Sequence, residues 1–214
     1  MEIIFNFNFC LHEVNPWATF DCQLTLYQND GYQVTTMTLD ENNLINQVLA
    51  GNRQAERDLY DMYKQYWFRL CLRYGRNRSE AEDILQEGLL YIFRDLKQFD
   101  SNRGKFKSWS GRVLVNAALR YLKKHQWQQS FVDLEMVTAE ATVSDDVLAR
   151  ISAKELTQLI QQLPSGYRVV FNMYVIEGYS HNEIAEKLNI SVSTSKTQLF
   201  KAKRALKEKL KVLF

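Results

Sequence analysis

HNEIAEKLNISVSTSKTQLFKAKRALKEKL, residues 181–210, predicts two amphipathic helices separated by a tight turn. Ile184, Ala185 and Leu188 lie on one face of the first helix, and alanine is small enough to let a second helix approach closely. Asn189 stands at the turn, where a left-handed backbone conformation is needed, and asparagine adopts it more readily than most non-glycine residues. This order of features predicts a helix-turn-helix.

The second of these helices carries the side chains that a DNA-binding helix needs. Recognition helices insert their N-terminal half into the major groove, where side chains reach base edges. The candidates in that half are Ser193, Thr194, Lys196, Thr197, Gln198 and Lys201. Beyond them runs a cationic series that can neutralise phosphates, formed by Lys203, Arg204, Lys207, Lys209 and Lys211. A basic amphipathic helix without this role is the alternative, but the first helix, with Ser180 and Glu183 at capping-box spacing, favours DNA binding. Ser195 departs from the pattern, because a buried aliphatic side chain usually occupies its place.

Charge along the chain is segmental, although the net charge of the 214 residues is only +2. Residues 37–126 hold 16 basic and 11 acidic side chains, and residues 152–214 hold 10 and 5. Residues 127–151, between them, hold one basic and five acidic side chains and lose the helical periodicity. Two basic blocks around an acidic connector are typical of a bipartite protein that binds a polyanion. Ordinary solvated helix faces are the simpler explanation of the same charges.

Composition favours a helical protein of the cytoplasm. Two prolines and eight glycines are few for this length, and the abundant Leu, Lys, Glu and Gln are good helix formers. Cys10, Cys22 and Cys71 show neither disulfide nor metal-ligand spacing, which indicates reduced thiols. We find no apolar run long enough to cross a membrane and no cationic start typical of a secretory signal. We therefore expect a cytoplasmic protein without direct membrane insertion.

Residues 1–36 differ from the rest of the chain. They contain no Lys or Arg, and apolar and polar residues alternate at their start, which is consistent with a short pair of strands. The alternative, which we favour, is that translation starts at Met37.

Helical periodicity predicts four helices between Asp40 and Gln126. Their inward positions are, in chain order, Leu44, Ile45, Val48 and Leu49; Ala55, Leu59, Met62, Tyr63, Tyr66 and Leu70; Leu85, Leu89, Ile92, Leu96 and Phe99; and Trp109, Val113, Ala117 and Tyr121. Ser79 and Glu82 have capping-box spacing, so the third helix is predicted to begin there.

Acidic side chains crowd the head of this third helix, in AEDILQEGLLYIFRDLKQFD, residues 81–100. A metal site would need a second acidic or histidine pair, and none is visible. Capping and the helix dipole account for Glu80 and Glu82, but not for Glu87, which lies beyond the first turn. Helical spacing places four side chains on one exposed face, which we interpret as a docking surface. They are Asp83, Gln86, Glu87 and Leu90.

These motifs occur in an order that resembles a known family. AEDILQEGLLYIF, FDSNRGKFKSWSGRVLVNAALRYLKK and LPSGYRVVFNMYVIEGYSHNEIAEKLNISVSTSKTQLFKAKRAL follow one another as in bacterial sigma-70-family initiation factors, and the chain resembles their extracytoplasmic-function (ECF) group. The resemblance implies an all-α protein with two small helical domains, the region 2 bundle in residues 37–126 and the region 4 helix-turn-helix in residues 152–214. A flexible acidic linker, residues 127–151, would join them.

The resemblance also implies partners and site residues. The acidic face would contact the clamp helices of core RNA polymerase, the helix YRVVFNMYVIEG its flap, and the linker its nucleic-acid channel. The side chains that would bind and melt the minus-ten promoter element are Phe99, Arg103, Lys105, Trp109, Arg112, Asn116 and Arg120. Many relatives carry an acid at position 120. Trp109 also fits a position in the core. The helix-turn-helix would read the minus-thirty-five element through the candidates above together with Phe200 and Arg204. An anti-sigma factor is a further partner expected from the family.

We therefore predict a sigma factor that directs core RNA polymerase to promoters and opens them, without catalysis, metal or cofactor of its own. The alternative is a helix-turn-helix regulator that acts without polymerase and binds a palindromic site as a dimer. That alternative leaves the acidic face without a role. A metal-dependent nuclease that uses the cluster of residues 80–87 is the third and least favoured interpretation.

Overall fold

A computed structural model describes residues 41–125 and 153–213, and throughout these ranges the regular structure is helical. The N-terminal helices are α1 (Glu41–Leu49), α2 (Arg53–Tyr74), α3 (Arg78–Asp95), which continues into a 3-10 turn (Leu96–Gln98), and α4 (Phe106–Lys124). The C-terminal helices are α5 (Ala153–Gln161), α6 (Ser165–Phe171), which continues into a π-helical turn (Asn172–Ile176), α7 (His181–Leu188) and α8 (Val192–Leu213). The all-α prediction is thereby confirmed for the described ranges. The predicted strand pair, the linker, Cys10 and Cys22 lie outside them.

The N-terminal bundle is built around Trp67 of α2, whose side chain is fully buried. Its indole Nε1 donates a hydrogen bond to Ser110 Oγ of α4 at 3.0 Å, so the polar atom of the ring is satisfied inside the core. The helices approach closely where glycine faces a neighbour: a Cβ at Gly88 of α3 would lie 2.3 Å from Leu114 Cδ2. Helices α2, α3 and α4 pack on one another, and α1 packs on α2. None of the helices in the described ranges is long and apolar enough to span a bilayer.

The buried face of α4 is offset by one residue from the predicted one. Of the four positions predicted to point inward, Ala117 is buried, whereas Trp109, Val113 and Tyr121 are partly exposed. The buried row contains Phe106, Ser110, Leu114, Ala118 and Leu122. A hydrophobic pattern cannot place Ser110 inside a core, because burial of the hydroxyl is favourable only with its bonds to Trp67 Nε1 and to the main-chain oxygen of Lys107.

Three further predictions about the N-terminal helices are wrong. Leu49, which ends α1, and Met62, at the edge of the buried face of α2, are 50% and 48% exposed. Helix α3 starts at Arg78 with Asn77 as its N-cap, rather than at Ser79. Asn77 Oδ1 accepts a hydrogen bond from the backbone N–H of Glu80 at 2.9 Å, which satisfies a donor at the helix start.

The predicted helix-turn-helix is present in α7 and α8. Ser180 Oγ accepts a hydrogen bond from Glu183 N at 3.3 Å, and Glu183 Oε2 accepts one from Ser180 N at 2.8 Å, so both halves of the capping box are formed. Asn189 follows α7 with φ 54° and ψ 51°, the left-handed conformation that the turn needs. The predicted packing residues Ile184, Ala185 and Leu188 are buried.

Arg168 of α6 joins the C-terminal helices to the end of α2. Only 1% of this residue is exposed. Its Nε donates to the main-chain oxygen of Tyr74 at 3.0 Å, and its Nη1 donates to those of Gln161 and Leu163 at 2.9 and 3.1 Å. Burial lowers the pKa of Arg168 to about 10, so the guanidinium remains charged at neutral pH and its charge is met by carbonyl dipoles.

A second set of bonds lies at the π-helical turn. Asn172 Nδ2 donates to the main-chain oxygen of Arg73 at 2.6 Å, and the Arg73 side chain pairs with Glu177 at 2.8 Å. Val170 and Met173 belong to the same buried cluster as the cores of α1 to α4. The C-terminal helices are therefore held against the N-terminal bundle by both polar and apolar contacts.

Candidate nucleic-acid and partner interfaces

Ser191 fixes the start of α8, the helix predicted to read DNA. Its Oγ accepts a hydrogen bond from the backbone N–H of Thr194 at 2.9 Å and bonds Thr194 Oγ1 at 2.8 Å. Its main-chain oxygen accepts from Ser195 N at 3.0 Å, which begins the helical ladder. We did not predict this cap, although a serine immediately before a helix is its sequence signal.

Most of the side chains predicted to read DNA reach the surface of α8. Ser193, Lys196, Phe200 and Arg204 are exposed, and Thr194, Thr197 and Lys201 are partly exposed. Gln198 differs, since only 6% of it is exposed. It lies on the inner face of the helix, at helical spacing from the buried Ser195 and Ala202. The structure therefore does not place Gln198 where it can read duplex DNA.

Ser195, which stands where an aliphatic residue is usual, is fully buried and hydrogen-bonded. Its Oγ lies 2.9 Å from Nδ1 of His181, the first residue of α7. The imidazole stacks on Tyr174, with ring centroids 4.3 Å apart. Burial lowers the pKa of His181, and the charges of Lys196 and Lys203 lower it further, so the ring is neutral at neutral pH. We did not single out His181 from the sequence, because no local pattern links it to a partner 14 residues later.

The predicted docking face of α3 is open to solvent. Asp83 and Gln86 are exposed, Glu87 is partly exposed, and 72% of Leu90 is exposed. The hydroxyl of Tyr121, on α4, donates to Asp83 Oδ2 at 3.2 Å, and that of Tyr91 donates to Glu87 Oε1 at 2.9 Å. Burial raises the pKa of Tyr121, as does its bond to Asp83, so its hydroxyl keeps the proton that it donates. The face thus combines oriented carboxylates with one exposed apolar side chain.

An aromatic cluster lies at the start of α4, beside the loop that follows the 3-10 turn. Phe106 is fully buried and stacks on Trp109 at a centroid distance of 5.6 Å. Phe99 contacts Phe106 and Trp109 at 5.4 and 5.7 Å. Phe99 and Trp109 are partly exposed, so the cluster reaches the surface although it is anchored in the core.

Cationic and amide side chains occupy the same loop and helix. Arg103, Lys105, Arg112 and Arg120 are exposed. The guanidinium of Arg120 lies 4.8 Å from the centre of the Tyr91 ring, which fixes part of its position. Asn116 is partly exposed, and its Oδ1 accepts a hydrogen bond from Lys187 Nζ of α7 at 3.4 Å. The predicted minus-ten residues thus form one continuous stretch of the N-terminal bundle, bordered by the helix-turn-helix.

Within residues 41–125 and 153–213, no group of three His, Cys, Asp or Glu side chains is arranged to hold a metal ion. Cys71 is buried in the core, and burial raises the pKa of its thiol to about 12, so it stays protonated and unreactive.

Two family models match the chain, one in each half. Residues 59–128 match the model of sigma-70 region 2, and residues 153–206 match that of sigma-70 region 4. The order is the one expected from the sequence motifs.

Curated proteins match over most of their own length. ECF RNA polymerase sigma factor SigW of Bacillus subtilis (strain 168) is 35% identical over 181 residues, which span 79% of this chain and 96% of SigW. SigM, another ECF RNA polymerase sigma factor of the same strain, is 28% identical over 163 residues, 70% of this chain and 91% of SigM. Among solved structures, that of CnrH in complex with the cytosolic domain of CnrY aligns with a TM-score of 0.43 and 21% identity, over 79% of this chain and 96% of that one.

Proposed function

We infer the roles of these surfaces from one premise: the chain belongs to the extracytoplasmic-function group of RNA polymerase sigma factors. It therefore acts with RNA polymerase in promoter-specific initiation of transcription. Our proposal assigns region 2 to residues 37–126 and region 4 to residues 152–214, and it assigns individual side chains to polymerase and to promoter DNA.

The exposed face of α3 docks on the clamp helices of core polymerase. The observation that carries this assignment is Leu90, 72% exposed beside the polar side chains of Asp83 and Gln86. Protein interfaces combine an apolar centre with a polar rim, and this face has that composition. Because tyrosine hydroxyls hold the carboxylates of Asp83 and Glu87, less side-chain freedom is lost when a basic partner binds. A regulator that acts without polymerase leaves this face unused.

The loop before α4 and that helix as far as Arg120 bind and melt the minus-ten element. A base taken out of the duplex needs an aromatic surface, and the separated strand needs cations along its backbone. The partly exposed Phe99 and Trp109 supply the aromatic surface. The cations and the amide are supplied by Arg103, Lys105, Arg112, Arg120 and Asn116.

The exposed side of α8 reads the minus-thirty-five element. Lys196 lies in the first turns, close to the end that enters the major groove, so we assign it to base edges. Arg204 is also exposed but lies two turns further on, which suits a phosphate contact that fixes the register of the protein on DNA. The remaining contacts are assigned to Ser193, Thr194, Thr197, Phe200 and Lys201.

Further partners follow from the family. Val169 and Val170 of the predicted flap-binding helix are buried, so we assign the flap contact to the exposed side around Tyr174. An anti-sigma factor stays an expected partner, and the cytoplasm, where core polymerase works, stays the expected compartment. The chain supplies recognition and melting in this proposal, while polymerase makes the phosphodiester bonds.

Transcription in vitro tests the proposal. The full-length protein and bacterial core polymerase are incubated with a pool of genomic fragments, and transcript starts are mapped. We expect discrete starts that vanish without the protein, each preceded by the same two sequence elements. An absence of starts, together with a shift of duplex DNA by a dimer of the protein alone, would overturn the proposal in favour of a polymerase-independent regulator.

A further inference from the structure

We propose that His181 and Ser195 act as a pair that positions the recognition helix, and that this pair sets how strongly the protein discriminates its minus-thirty-five element. The inference rests on the proposed assignment of α8 to that element. Neither residue belongs to the set that we assign to DNA. The pair acts through the neighbours of Ser195 along the helix.

The pair lies where the two helices of the motif meet. Ser195 is fully buried on the inner face of α8, and its Oγ is 2.9 Å from Nδ1 of His181 at the first position of α7. An aliphatic side chain at this position would hold the helices together without fixing an angle between them. A hydrogen bond has a preferred length and direction, so it fixes the rotation of α8 relative to α7. Either neutral tautomer of His181 makes this bond, because a serine hydroxyl both donates and accepts.

A second contact holds the imidazole itself in place. The ring of His181 stacks on Tyr174 at 4.3 Å with an interplanar angle of 23°. Tyr174 lies in the π-helical turn of residues 172–176, and such turns occur frequently at functional sites. The orientation of α8 is therefore tied to the continuation of α6 through two successive side-chain contacts.

Small rotations of α8 act most strongly on base contacts. Thr194 and Lys196, the immediate neighbours of Ser195, both belong to the proposed DNA surface. Hydrogen bonds to base edges weaken steeply when distance or angle is wrong, whereas phosphate contacts carry no sequence information. Loss of the pair should consequently lower discrimination between correct and incorrect elements more than it lowers overall DNA affinity.

The test compares two templates with the holoenzyme. One template is a promoter mapped by the transcription experiment above, and the other is the same promoter with its minus-thirty-five element scrambled. The ratio of the two initiation rates measures discrimination, and this ratio does not change when a variant merely reduces the fraction of folded protein.

The variants separate the hydrogen bond from the ring. His181→Phe keeps an aromatic ring for stacking on Tyr174 but has no hydrogen-bonding atom, and it should lower the ratio on the order of tenfold. His181→Asn keeps a polar atom near the position of Nδ1 and should retain the ratio within about threefold. Ser195→Ala, which removes only the hydroxyl, should act in the same direction as His181→Phe.

A second histidine provides the control. His125 also stacks on a tyrosine, Tyr121, at 4.3 Å, but it lies in the N-terminal bundle, so His125→Phe should leave the ratio unchanged. The inference is overturned if His181→Phe or Ser195→Ala gives folded protein with the wild-type ratio, or if His125→Phe loses as much. Failure of the proposed function gives a different result, since the wild-type protein would then not distinguish the two templates.

Discussion

Helices α3 and α7 both have a Ser-x-x-Glu pair at their start, but only one of them begins with a capping box. At α7, Ser180 and Glu183 exchange hydrogen bonds. At α3, the cap is Asn77, and Ser79 lies inside the helix. The difference shows that a capping motif is decided by competition among close neighbours, and that spacing alone does not decide it.

The competitors at α3 can be identified. Asn77 comes two residues before the candidate serine and is an equally good N-cap. Both nearby glutamates are taken by arginines: Arg76 Nη2 lies 2.6 Å from Glu80 Oε1, and Arg78 Nε lies 2.7 Å from Glu82 Oε1. No arginine precedes Glu183 within its own turn, so that carboxylate is available to Ser180.

This difference separates two kinds of acid at the head of α3. Glu80 and Glu82 are neutralised by arginines of the same segment. Asp83 and Glu87 are bonded to uncharged tyrosine hydroxyls and keep their charge for a partner. The acids that hold the helix start are thus distinct from those that we assign to polymerase.

The largest expected effect is on the affinity for core polymerase, and it should depend on which acids of α3 are replaced. Asp83→Lys combined with Glu87→Lys should lower the affinity for core polymerase by at least about tenfold, because attractions become repulsions, and it should leave duplex DNA binding unchanged. Glu82→Lys is the control, because it makes the charge change of one of these two substitutions at the position next to Asp83, and its expected loss is below about threefold. Fluorescence anisotropy of labelled full-length protein measures the affinity of each variant for core polymerase. Equal losses of affinity in the double variant and in Glu82→Lys would contradict the different roles assigned to the two pairs of acids.

The next largest effect is expected on DNA binding by the basic helix α8. Lys196→Ala should lower discrimination between promoter sequences, since we assign this side chain to base edges. Arg204→Ala should weaken binding of all sequences alike and reduce the salt dependence by about one phosphate contact. Binding of the holoenzyme to promoter variants at several salt concentrations distinguishes a base contact from a phosphate contact. The same dependence on sequence and salt for Lys196→Ala and Arg204→Ala would contradict the different roles assigned to these two side chains.

The two N-caps should each contribute to the free energy of unfolding, whereas Ser79 should contribute little. Asn77→Ala and Ser180→Ala should each lower the free energy of unfolding by about 1 kcal/mol, as loss of a side-chain cap does. Ser79→Ala should change it by less than about 0.5 kcal/mol, because Ser79 is exposed on the first turn of the helix. Urea unfolding of the full-length protein measures these changes. If Ser79→Ala lowered the free energy of unfolding as much as Asn77→Ala does, Ser79 would be the N-cap of α3 after all.

The smallest effect is on the titration of two glutamates. Hydrogen bonds from the backbone and side chain of Ser180 lower the pKa of Glu183. Burial alone would raise the pKa of Glu80, but hydrogen bonds from Arg76 outweigh it and lower the pKa. A carboxylate whose folded pKa is lowered stabilises the fold above its unfolded pKa, about 4.3, and loses that contribution as pH falls through the folded pKa.

Carboxyl titration by NMR therefore tests the two helix starts against each other. In Ser180→Ala the pKa of Glu183 should rise part of the way toward its ordinary value, because the bond from the hydroxyl is lost while the backbone N–H of residue 180 still donates. In Asn77→Ala the pKa of Glu80 should stay low, because Arg76 still holds that carboxylate. A rise at Glu80 as large as that at Glu183 would mean that both acids depend on their caps.

Features that depend on a few consecutive residues could be predicted from the sequence. The cap at Ser180, the left-handed Asn189 and the buried face of α7 all follow from local requirements, and the structure confirms them. The exposed face of α3 followed from helical spacing in the same way.

Features that depend on a distant partner could not be predicted. Ser110 is buried because Trp67, 43 residues away, donates to it, and Ser195 is buried because His181 accepts or donates across a helix crossing. The place of Gln198 near the N-terminus of α8 predicts a DNA contact, but the packing of the helix turns this side chain inward. Hydrophobic periodicity carries no information about polar residues that are buried with a partner.

The hydrogen bonds between the two halves depend on side chains in one half and on the main chain in the other. The donors Arg168 and Asn172 belong to the C-terminal helices, and their acceptors are the main-chain carbonyls of Tyr74 and Arg73. Every residue type has that carbonyl, so substitutions at positions 73 and 74 leave both acceptors in place, although they change the ion pair of Arg73 with Glu177 or the buried ring of Tyr74. Mutations that remove these hydrogen bonds should therefore map to positions 168 and 172, while mutations at positions 73 and 74 should act through the ion pair and the packing of the core instead.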